Sequence, residues 1–144
     1  MMGYFRIKAF LVVLMGLLST VFSWGQTISL DEFEKTEGWY FIQSDGVDLQ
    51  LSTAKGRTGK AIRFDYDFTQ GTGYGGIQKL FPIDLPENYE FTFWLKAQSP
   101  SNNFEIKFAD SSGNNVWWVS HRNYAFPGEW KKITIKKRHI GFAW

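Results

Sequence analysis

Hydrophobic and polar positions alternate along most of the chain. In "KAIRFDYDF", Ile62, Phe64, Tyr66 and Phe68 fall on one side and Arg63, Asp65 and Asp67 on the other. "YEFTFWLKAQ" sets Phe91, Phe93, Leu95 and Ala97 against Glu90, Thr92, Trp94 and Lys96. "FEIKF" turns Phe104, Ile106 and Phe108 inward and Glu105 and Lys107 outward. "VDLQL" aligns Val47, Leu49 and Leu51, and "WKKITIK" offers Trp130, Ile133 and Ile135 with a slip after Trp130. A period of two marks half-buried strands. Turn clusters such as "SDG", "KGRTGK", "QSPSNN", "DSSGNN" and "FPGE" separate the runs, and no segment keeps the period of a helix. The pattern predicts an all-β sandwich of seven or eight strands.

The first 25 residues break the pattern. Arg6 and Lys8 precede an apolar run from Ala9 to Leu18, and Ser23 and Gly25 hold the small-residue positions of a cleavage site. This reads as a secretory signal peptide, residues 1–25, with the mature domain at 26–144. The run is shorter than the roughly 20 residues of a membrane span, so the mature form is expected to be exported without one. At the other end, "HIGFAW" stops without a turn or polar tail, which leaves Phe142 and Trp144 without evident partners. The expectation there is a C-terminally truncated sandwich whose last strand is missing.

Charge and cysteine content narrow the classes. The formal net charge of the 144-residue chain is +2, and it falls to zero when Arg6 and Lys8 leave with the export signal. A neutral domain has no general attraction for nucleic acid. With no cysteines, the fold has no disulfide staples and rests on burial. Aromatic residues make up 19% of the chain, and each buries roughly 150–250 Å².

Catalytic signatures are absent. "GTGYGG" matches a dinucleotide fingerprint in letters, but the following "IQKLFPIDLPEN" starts no helix to hold a pyrophosphate. Its glycines serve a mobile loop or a close backbone approach. His121 and His139 are too few and too separated for a metal centre. Asp65 and Asp67 share a strand face about 7 Å apart, which leaves a glycoside hydrolase as an alternative. "LDEFE" gathers Asp31, Glu32 and Glu34, hard oxygen donors that suit a structural calcium.

The outward aromatics say more. Trp94 stands between Thr92 and Lys96 on the polar side of its strand. In "NVWWVSHRNYAF" two phases are open, and either Trp117 or Trp118 points inward. The favoured phase puts Trp117, Val119 and His121 inside and Trp118, Ser120 and Arg122 outside, with Tyr124 near the strand end. A flat indole supports the C–H face of a sugar while charged and hydroxyl side chains read its hydroxyls. Trp94, Lys96, Trp118, Arg122 and Tyr124 are therefore the candidate contacts for a polysaccharide or oligosaccharide.

"LDEFEKTEGWYF", "GKAIRFDYDF" and "NNFEIKFADSSGNNVWWV" resemble the galactose-binding-domain-like carbohydrate-binding modules of secreted, Bacteroidetes-type carbohydrate-active proteins. The resemblance runs from about Leu30 to the end. It implies a jelly-roll β-sandwich of two antiparallel sheets, sugar contacts on a sheet face or edge loops, neighbouring domains in the same polypeptide, and in many members a calcium. Asp31, Glu32 and Glu34 would contribute to that calcium. A non-catalytic module is the leading expectation, and a domain that packs against a catalytic neighbour is a third reading.

Overall fold

A computed structural model describes residues 25–144, so the export signal expected at 1–25 lies outside the described residues but for Gly25. The described chain is all-β. Its strands are β1 (Tyr40–Gln43), β2 (Asp48–Lys55), β3 (Lys60–Asp67), β4 (Gly75–Gln78), β5 (Glu90–Leu95), β6 (Asn102–Ala109), β7 (Val116–Tyr124), β8 (Lys131–Lys136) and β9 (Gly141–Phe142). A 3₁₀ turn, Lys137–His139, joins the last two. Among the described residues, no helix is long and apolar enough to cross a membrane.

All pairings are antiparallel, and the strands hydrogen-bond as four small sheets: β1–β4, β2–β3, β5–β8 and β6–β7–β9. Chain order makes two nested units. β1 and β4 bracket the β2–β3 hairpin, and β5 and β8 bracket β6–β7. The alternating runs become β2, β3, β5, β6 and β8. β1 and β4 do not alternate and have no such signature. β4 forms from the glycine run itself. Gly75 lies so near Leu49 that a Cβ there would come within 2.8 Å of its Cδ2. Close approach is thus the role of that glycine.

The sandwich interior lies between β5–β8 and β6–β7. Phe91 of β5 stacks on Phe108 of β6, with centroids 4.8 Å apart and planes at 21°. Ile133 and Ile135 of β8 face Phe104, Ile106 and Val119 across a cavity of about 250 Å³. Val47, Val116, Val119 and Ile135 are the buried apolar residues among those described. Burying a side chain such as Ile135, 3% exposed, stabilises the fold by roughly 1.5–3 kcal/mol.

A bulge interrupts the β6–β7 ladder. Asn102 pairs with Tyr124 but Phe104 pairs with His121, so three steps of β7 span two of β6. Asn123 absorbs the extra residue with φ 52°, a left-handed conformation that asparagine tolerates better than most residues. Beyond it the side-chain phase flips. This flip decides where Tyr124 points.

Candidate functional site

The outer face of β6–β7–β9 carries a polar–aromatic cluster. Lys107 lies opposite Trp118 and Glu105 opposite Ser120, so the four side chains share one face. Gly141 of β9 lies on the other flank of Trp118 and contributes no side chain; a Cβ there would meet nothing within 4 Å. The space beside the indole is open. The backbone then brings Trp144 over. The Val116 N–H donates to the Trp144 carbonyl at 2.9 Å, and the Ala143 N–H donates to the Val116 carbonyl at 2.8 Å.

The two indoles form a corner, with centroids 6.4 Å apart and planes at 74°. The Lys107 ammonium lies 5.7 Å from the Trp118 ring and 5.3 Å from the Trp144 ring. Glu105 holds the same ammonium at 3.1 Å and accepts a long hydrogen bond, 3.4 Å, from the Ser120 hydroxyl. Chemically this is a charge-neutral shelf. Two flat apolar surfaces meet at a wall of donors and acceptors.

The favoured phase of "VWWV" holds on the backbone, because Trp117, Val119 and His121 pair with the inward Phe108, Ile106 and Phe104. Exposure does not follow it. Trp117 packs edge-on against Phe142 but stays 37% exposed, so it is not core. Trp118, the outward ring, is only half-exposed because Trp144 and Lys107 cover part of it. The final aromatics, expected to lack partners, find them in the two tryptophans of β7.

Trp94 occupies a different place. It is 43% exposed on β5, opposite Lys132 of β8. Arg57, from the β2–β3 turn, sets its guanidinium carbon 4.1 Å from the Trp94 ring centroid. Lys96 pairs with Glu129 at 3.2 Å. Trp94 and Trp118 share no sheet. Phe91 and Phe108 interlock between their sheets, so side chains of opposite parity, Trp94 and Trp118, stand on the two outer faces of the sandwich.

Arg122 is exposed near the bulge, on the Trp118 side of β7 by alternation. Tyr124 is a correction. The bulge turns it inward, where its ring meets Phe104 at 5.2 Å, Phe126 at 5.2 Å and His121 at 5.6 Å. It cannot join Trp118 on the outer face. The two histidines, 18 residues apart in sequence, both line the cavity between the sheets while remaining exposed. Sequence separation hid that meeting.

The acids do not form a calcium cage. Phe33 has a left-handed backbone, φ 57°, which sends its neighbours apart. Asp31 accepts from the Phe33 N–H at 2.6 Å, the Trp39 indole N–H at 3.2 Å and the Lys79 ammonium at 2.5 Å. Glu32 accepts from the Ser29 hydroxyl, and Glu34 reaches the Lys60 N–H on β3 at 3.0 Å. All three acids line one shallow depression, yet no group of three metal-ligating side chains converges among the described residues. A calcium ion would have to displace Lys79, so these residues as arranged do not fit the ion. Burial pushes the Asp31 carboxyl up, but the Lys79 ammonium and the Phe33 and Trp39 donors outweigh it and hold it below the usual carboxylate range.

Asp65 is gripped by the Arg63 guanidinium, with Nε 2.7 Å from Oδ2. Asp67 accepts the Thr69 N–H at 2.7 Å, which holds its carboxyl below the usual range. That direction is opposite to the one a general acid needs.

Sequence reasoning missed Trp144 and Arg57 as site residues. Trp144 gave one signal, an apolar ring after the last alternating run. Arg57 sits in a turn, and nothing local says which ring it will cover. Comparison with protein-family models, curated proteins and solved structures finds no match for this chain.

Proposed function

We propose that this domain is a non-catalytic carbohydrate-binding module and that a neutral sugar ring docks in the Trp118–Trp144 corner. One observation carries the reading: two indoles at 74° with Lys107, Glu105 and Ser120 beside them on an outer sheet face. A pyranose has an apolar C–H face and a rim of hydroxyls. One ring supports the face and the second lies against its edge. The ammonium and carboxylate supply donors and acceptors to the rim. Both rings are rigid, so little conformational entropy is lost on binding.

Glu105 balances Lys107 beside the two rings, which favours an uncharged sugar between them. The low carboxyl of Asp67 supports binding without hydrolysis. Titrating the full chain against a panel of neutral polysaccharides, with Trp118→Ala and Trp144→Ala beside it, tests the reading. Truncating an aromatic anchor costs about 2 kcal/mol, so each variant weakens binding about 30-fold. A chain that binds no neutral glycan, or one whose binding ignores both changes, defeats it.

A further inference from the structure

We propose that the outer face of β5–β8 is a second ligand site, built from Arg57, Trp94 and Lys132, that takes the carboxylate or sulfate groups of an acidic polysaccharide. It rests on the reading of the domain as a glycan binder. It uses different residues on the opposite side of the sandwich.

Arg63 is bound to Asp65, Lys79 to Asp31, Lys96 to Glu129 and Lys107 to Glu105. Several other described cations pair with no carboxylate, and among those Arg57 alone lies over an aromatic ring, with Lys132 across the strand pair from that ring. Arg57 is nevertheless not loose. Its turn is closed by the Gly56 N–H donating to the Gly59 carbonyl at 3.0 Å, and its guanidinium rests on Trp94 at 4.1 Å. Stacking fixes the guanidinium but uses none of its five N–H donors. A guanidinium held over an indole has less freedom left to lose when it meets a bidentate anion.

Lys132 adds a second positive charge at the paired position across from Trp94, on the same face. Thr92 and Thr134, also paired on that face, offer hydroxyls. Trp94 is still 43% exposed with Arg57 in place, which leaves indole surface for a sugar ring. An oriented guanidinium, a neighbouring ammonium, hydroxyls and an open indole match a sugar that bears an anionic substituent. A nucleic acid fits less well. It presents a continuous phosphate array, and the domain from residue 26 has no net charge to meet one.

The test uses the full chain with polygalacturonate as carboxylated probe, dextran sulfate as sulfated probe and plain dextran as the uncharged control. The expected result is binding to one or both acidic polymers, weakened by salt. Arg57→Gln and Lys132→Gln each weaken it about tenfold, the loss of one charge-assisted contact. Trp118→Ala leaves it unchanged, so failure of the Trp118–Trp144 site does not register here. Arg57 is an exposed turn residue, and circular dichroism checks that the variant folds. Three results overturn the proposal: no binding to either acidic polymer, equal weakening by Lys35→Gln in the N-terminal segment, or tighter binding to single-stranded DNA than to both polymers.

Discussion

Lys79 and Arg57 both place a cation against an indole, and they end in opposite roles. The Lys79 ammonium lies 5.8 Å from the Trp39 ring and 5.7 Å from the Phe81 ring, and it bonds Asp31 at 2.5 Å. The two charged side chains are 25% and 10% exposed. Arg57 lies closer to its ring but is exposed, and among the described residues it pairs with no carboxylate. Lys107 falls between: two rings, one carboxylate, and about two-fifths exposed. The aromatic contact is common to all three. Burial and the presence of an acid decide whether the cation pins the chain to itself or stays available to a ligand.

The largest test of that contrast removes the pin. Lys79→Met leaves the Asp31 carboxylate partly buried without its ammonium, a change that costs about 1–3 kcal/mol. A denaturant midpoint measures it. Arg57→Gln, away from any such pairing, shifts the midpoint by no more than about 0.5 kcal/mol. Equal losses in the two variants would remove the distinction between pin and ligand contact.

Acid separates them next. The folded Asp31 carboxyl titrates below its unfolded value, so the unfolded chain binds more protons between the two. The stabilisation from Asp31 is fully present above about pH 4, the unfolded carboxylate value. It is lost as pH falls through the lowered folded value. In a stability–pH profile, Lys79→Met flattens this acid limb and Arg57→Gln leaves it as it is.

The all-β fold was legible because alternation reports burial directly. Each run from "VDLQL" to "WKKITIK" needed only its own residues to declare two faces. β1 and β4 were not legible, because Tyr40, Phe41 and Ile42 are all exposed and β4 is half glycine. The phase of Trp118 was readable from Val119 and Ser120, but its cover by Trp144 depends on backbone bonds to Val116. Tyr124 was misplaced because one left-handed residue, Asn123, reverses a strand's faces. The separate partners of the "LDEFE" acids were hidden for a similar reason. Spacing cannot show that Phe33 turns the backbone or that a lysine 48 residues on reaches Asp31.

The smallest effect asks whether Lys107 can be moved along the series. Glu105→Gln keeps the shape of the shelf and the Ser120 contact but removes the charge that balances the ammonium. Lys107 then resembles Arg57: a cation on indole rings with no carboxylate. An exposed ion pair contributes about 0.2–1 kcal/mol, so folding stability changes little. Ligand preference changes instead. Measured with Arg57→Gln and Lys132→Gln in the background to weaken the other face, Glu105→Gln gains up to about fivefold in affinity for polygalacturonate, the same energy expressed as a ratio. Affinity for neutral glycan stays within that factor, because the two rings are untouched. If the acidic polymer gains nothing, pairing is not what separates the two faces, and the difference between them lies in the geometry of lysine and arginine on a ring.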